Sequence, residues 1–178
     1  MRAVMGAGGY AGALFWPTVV TGLLAAVYTA FLFRQCRGRD LWCSPLLPVH
    51  LVAQWVLASS AVLTLFPASL GVAPRLRRAA VVGLALGLLV HGLAVLGELA
   101  MPHATEAARR ASDIATRGSL RVLFWMGAVG AGWLLPAVLL AADNNSYFVS
   151  GIAGAASLAG LAVFDWCFVM AGQGVANS

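Results

Sequence analysis

The chain has 178 residues, of which 61% are hydrophobic and 10% charged, and its mean hydropathy is +0.89. A soluble domain usually carries about 25% charged residues, so this much apolar surface has to face lipid, which excludes a soluble enzyme, a disordered chain and a disulfide-stapled secreted module. The net charge is +5 and all 11 basic residues are arginine; they fall between apolar runs, where they read as topology signals and not as a nucleic-acid surface.

A membrane helix needs roughly 20 apolar residues. Five such runs follow one another, over about 10–33, 45–66, 79–101, 119–142 and 147–172. They predict an all-α integral membrane protein, a bundle of about five transmembrane helices with short loops, forming a single domain over 1–178. The first run is too long for a cleaved signal, has only Arg2 in front of it and is followed by no small-residue cleavage site, so it is expected to be a retained helix. Gly6-Ala7-Gly8-Gly9 is no phosphate loop, because no Lys-Ser/Thr follows it. Loops between successive spans alternate sides. One side receives Arg34, Arg37, Arg39, Arg109, Arg110 and Arg117, with Arg121 just inside the fourth helix, and the other Arg2, Arg75, Arg77 and Arg78. The excess places the first side, and the C-terminus with it, in the cytoplasm. Small residues four apart, Gly83 and Gly87, Gly127 and Ala131, Ala156 and Gly160, mark close helix contacts. Pro136 is expected to bend the fourth helix.

Ionisable groups inside a bilayer are costly, so each needs a reason. The candidates are His50, His91, Glu98 and Asp165, with Gln54 as a polar neighbour. Helix rise puts His50 roughly 7 Å, Glu98 roughly 5 Å, His91 roughly 15 Å, Asp165 roughly 9 Å and Arg121 roughly 3 Å from the cytoplasmic face, all in one leaflet. His91 and Glu98 are two turns apart and share a helix face. Arg121 is the basic group in this layer and the expected charge partner of Glu98 or Asp165, while His50 is near enough to the surface to be solvated. The pattern fits either a proton path or polar quinone-facing pocket, or a structural salt bridge. A haem b held by His50 and His91 would need unusual tilting, since the two differ by roughly 8 Å in depth. His103 is expected at the interface and solvated. Cys36, Cys43 and Cys167 are odd in number and contain no C-x-x-C, so the chain is expected to bind no metal and to keep free thiols.

Four segments carry a resemblance. They are Tyr28-Thr29-Ala30-Phe31-Leu32-Phe33, Gly38-Arg39-Asp40-Leu41-Trp42-Cys43-Ser44-Pro45-Leu46-Leu47-Pro48, Glu98-Leu99-Ala100-Met101-Pro102-His103-Ala104-Thr105-Glu106, and Ala171-Gly172-Gln173 just before Asn177-Ser178. Together they resemble the NrfD/polysulfide reductase membrane-subunit family, most specifically in Arg39, Asp40, Trp42, Pro45 and Pro48 of the first loop, then in Glu98, Pro102 and His103. The motifs look like those of that family's C-terminal half, so the chain is expected to be half of a longer member or a shortened paralogue. The resemblance implies a multi-pass subunit of the bacterial cytoplasmic membrane. Such a subunit passes electrons between menaquinone or ubiquinone (as quinol) and a peripheral, ferredoxin-like iron–sulfur subunit. That partner in turn serves a molybdopterin catalytic subunit or a multihaem cytochrome, and some members couple the transfer to proton movement. The chain itself would hold no cofactor. Competing readings are a small proton channel or transporter, a haem b anchor, and a scaffold whose charges only fix packing.

Overall fold

The computed structural model describes residues 7–36, 38–66 and 73–175, with the side chains of the first helix from Leu14 onward. Arg2, Arg37 and the terminal Asn177-Ser178 lie outside the described residues. A backbone that meets lipid must bond to itself, which leaves the helix as the way for a single apolar run to cross. Each predicted run is helical: α1 spans Ala7–Arg34, α2 Leu47–Thr64, α3 Pro74–Ala100, and the last helix Tyr147–Gln173. The fourth run has two windings. Leu123–Leu134 is a π-helix, and the α-helix α5, Leu135–Ala142, continues it with Pro136 in its first turn. The winding thus changes next to the proline expected to bend this span. Long π-helical stretches are rare; this one contains Gly127, Gly130 and Gly132.

Local chemistry sets several ends. Pro48 and Pro74 sit in the first turns of α2 and α3, where a missing N–H costs nothing. The last helix, α6, starts at Ser146, whose side chain accepts the N–H of Val149 at 3.3 Å. Just before it, the Asp143 carboxylate accepts the N–H groups of Asn145 and Ser146, turning the chain over from α5.

The loop expected after the third span is shaped differently. It holds a further helix, α4, Glu106–Thr116. Thr105 caps it by accepting the Ala108 N–H at 3.1 Å. Glu106 and Asp113 pair with Arg109, Arg110 and Arg117 along its exposed side. Hydrogen bonds from Arg109 and then Arg110 hold the Glu106 carboxyl down at about 2. Ala108, Ala111 and Ala115 form the buried face. So three of the arginines read as topology signals serve a surface helix.

The interior has two apolar clusters. One joins Leu41, Trp42, Val95, Ala111, Phe124, Cys167 and Ala171 under α4, and the other joins Leu57, Ala61, Leu84, Leu88, Leu140 and Ala153 toward the opposite end. Small residues decide where helices touch. Gly87 of α3 lies on Leu57 of α2, and Gly83 on Ser60. Gly132 of the π-helix meets Gly160 of α6 backbone to backbone, so a side chain on either would strike main chain. Gly127 does pack on Val163, as its spacing predicted, but the tightest crossing uses Gly132 in place of Ala131. α1 lies against α2, with Gly22 over the Trp55 ring, and leaves most of its surface free for lipid.

Gly160→Val should therefore lower the unfolding stability of the purified chain in detergent by about 1–3 kcal/mol. Ala159→Val, one residue away on the exposed side of α6, should leave it unchanged.

Candidate functional site

The linker from α1 to α2 turns into the bundle at Leu41 and Trp42, while Cys36, Gly38, Cys43 and Pro45 stay exposed. Gly38 turns it at a positive φ of 80°, a short 3-10 turn follows over Asp40–Cys43, and Leu41 and Trp42 are buried. Arg39 anchors it. Its Nη1 donates to the carbonyl oxygens of Gly172, Gln173 and Val175 at 3.0, 2.8 and 3.0 Å, at the end of α6 where helix carbonyls lack intrahelical donors. Trp42 packs against Gly172, where any side chain would strike the indole, and edge-on against Phe33 of α1. Asp40 accepts the Thr105 hydroxyl at 2.7 Å, and Ser44 donates to Glu98 at 2.7 Å. The four sequence segments that carry the resemblance thus meet at one end of the bundle and hold one another.

Two spaces lie on either side of this knot. A vestibule of about 340 Å³ opens at the bundle end, with Asp40, Ser44, Pro45, Glu98, Pro102 and His103 in its wall. A smaller cavity, about 50 Å³, lies inside, lined by His50, Glu98, Val95, Thr116, Phe124 and Phe164 among others. Glu98 borders both. The inner space suits water; even benzene occupies an engineered cavity of about 150 Å³. The vestibule is roomy enough for a quinone ring and the inner cavity is not.

His50 and His91 face each other, Nδ1 to Nδ1 at 3.4 Å, each 5% exposed. Phe164 of α6 stacks on the His50 ring at 5.5 Å and meets His91 edge-on at 4.8 Å. The depths expected from sequence are wrong here, and His50 is not solvated. Rise along a helix is measured from that helix's own end, and the facing ends of α2 and α3 lie at different levels. Ser44 bonds to Glu98, so the chain enters α2 already sunk beneath α4, and His50 reaches the level of His91. The rings touch, which leaves no slot for a porphyrin between them.

Other expectations also change. Arg121 is exposed and pairs with neither acid among the described residues. Glu98 is held by Ser44 instead. Asp165 accepts the Gln54 amide at 2.9 Å on the exposed side of α6. His103 is half-buried in the vestibule wall with Nε2 unpartnered. Cys36 and Cys43 are exposed and Cys167 buried, all as free thiols. No group of three or more His, Cys, Asp or Glu able to hold a metal ion occurs among the described residues. Ser44 and Phe164 are the site residues that sequence reasoning missed; both are neutral, so the search for buried charge passed over them.

The profile of the family described as Polysulphide reductase, NrfD, matches residues 3–177, nearly the whole chain. The chain belongs to the NrfD family. Members of this family are multi-pass membrane subunits of polysulfide and quinol oxidoreductase-type complexes and assemble with other oxidoreductase subunits. No curated protein and no solved structure matches the chain. Within this NrfD chain, the motif residues Arg39, Asp40 and Trp42 serve as ties between helix ends.

Arg39→Ala should free the carbonyls at the end of α6 and cost about 1–3 kcal/mol, the scale of charge-assisted hydrogen bonds. Hydrogen exchange should rise first at 170–175 and in α4, with the π-helix and α5 unaffected.

Proposed function

We propose that this subunit works in a quinol-linked oxidoreductase of the bacterial cytoplasmic membrane, passing electrons between membrane quinone and a peripheral iron–sulfur subunit. That partner delivers to a molybdopterin subunit or a multihaem cytochrome. The end of the bundle bearing α4 and the vestibule faces the cytoplasm, in keeping with its arginine excess. Quinone supplies two-electron chemistry that takes up or releases protons. The task of this chain is then to move protons between the bilayer interior and water, where a lone charge is costly.

What carries the reading is the placement of Glu98. Glu98 lines both the open vestibule and the water-sized cavity beside His50. A group that exchanges protons across such a boundary needs access to both sides, and a hydrogen bond that suits the anion; the Ser44 hydroxyl provides that bond. Asp40 and His103 line the outer side of the route. Asp165, with Gln54, forms a polar pair on the exposed side of α6, and Arg121 stands apart as a surface charge. Whole motif segments thus fix Glu98 in position, while the proton chemistry falls to its carboxyl.

Glu98→Gln keeps an oxygen acceptor for Ser44 but cannot exchange a proton at that position. It should lower quinol-dependent turnover of the assembled complex at least about tenfold, a modest share of what a positioned acid–base group contributes. Assembly is checked on native gels of the membranes. Unchanged turnover in an assembled complex would leave Glu98 a purely structural role.

A further inference from the structure

Two ring nitrogens 3.4 Å apart in a buried layer cannot both carry hydrogen, and two bare lone pairs would repel. Neutral His50 and His91 must therefore be complementary tautomers, one bearing Nδ1–H and the other Nε2–H. That leaves each ring one further nitrogen, Nε2, and among the described residues no protein group bonds to either. His50 lines the cavity that Glu98 also lines. His91 lies seven residues before Glu98 on α3, roughly 10 Å further along the helix. Phe164, packed on both rings, limits their planes.

We propose that the His50–His91 pair is a proton relay linking the cavity beneath Glu98 to the deeper part of α3. The proposal rests on the reading of Glu98 given above. A proton from the cavity forms an N–H bond at His50 Nε2. The His50 Nδ1–H bond breaks as its proton passes to His91 Nδ1, and the His91 Nε2–H bond releases a proton beyond. One proton enters, one leaves, and no electron moves; the reverse order carries a proton outward. Each transit leaves the pair in the opposite tautomeric arrangement. A proton travelling the other way restores it.

The groups around the pair are compatible with a passing positive charge. α2 contributes Gln54, one turn beyond His50 and bonded to Asp165. α3 contributes Glu98. α6 contributes Asp165, next to Phe164 in sequence. The π-helix contributes Phe124, which is apolar. No arginine among the described residues bonds to either ring.

The test begins with the whole chain, reconstituted in lipid with nitrogen-15 histidine. Solid-state NMR should find two of the three histidines as complementary tautomers correlated Nδ1 to Nδ1, with the correlation lost in His50→Asn and His91→Asn. Turnover of the assembled complex is then measured with decylubiquinol and with menadiol. Each variant should slow it about tenfold, the double variant no further, because the two rings act in series, and the solvent deuterium effect on the residual rate should change. Identical tautomers on both rings, or wild-type turnover in the assembled single variants, would overturn the relay. Slowing by Glu98→Gln but not by the histidine variants would remove the relay and keep Glu98. The converse pattern would keep the pair and take Glu98 out of the route.

Discussion

Arg39 meets three carbonyl oxygens at the end of α6, and the position of the histidines follows from that contact. A helix that stops at the edge of a bilayer has carbonyls that lipid cannot satisfy. Here the donor comes from the linker between α1 and α2, so satisfying α6 draws the linker down into the bundle. Leu41 and Trp42 are buried as a consequence, and the indole needs the bare backbone of Gly172 to fit. Ser44 then reaches Glu98, and α2 begins below the level at which α3 ends. This sunken start lets His50, in the first turn of α2, touch His91, which stands nine residues from the end of α3. The hydrogen bonds of one guanidinium at the end of the bundle thereby fix a polar contact within it.

Hydropathy alone was enough to read the five spans, because the bilayer allows little besides helices. Family and motif segments were equally legible, since those residues make contacts that tolerate few replacements: a guanidinium for three carbonyls, a glycine under an indole. Three features were not. α4 was hidden because its arginines also look like topology signals. Its own marks were present nonetheless, in the Thr105 cap and in Glu106, Arg110, Asp113 and Arg117 at four-residue or near spacing. Depth was misjudged because counting rise along a helix gives distance from the helix end, and nothing in the sequence states how deep that end lies. Arg121 was assigned to an acid because charge seeks charge, whereas Glu98 and Asp165 are satisfied by a hydroxyl and an amide at lower desolvation cost.

The two halves of the bundle differ in what their buried polar atoms can do. Toward the end away from the vestibule, Thr64, Ser150 and Ser157 are buried, and each hydroxyl donates to a carbonyl of its own helix. Such bonds ease helix packing in lipid and leave no titratable group to pass a proton on. The same half has close helix approaches, where Gly83 and Gly87 meet α2 and Gly154 meets Thr64. Close packing there and a cavity lined by His50 and Glu98 in the other half are opposite uses of the same helices. Among the described residues, Glu98, His50 and His91 follow one another from the vestibule toward the interior of the bundle. A channel or transporter needs continuity between faces, whereas chemistry on a membrane-held substrate needs only to bring protons to the depth where the substrate reacts. The proposed relay asks for no more than the second.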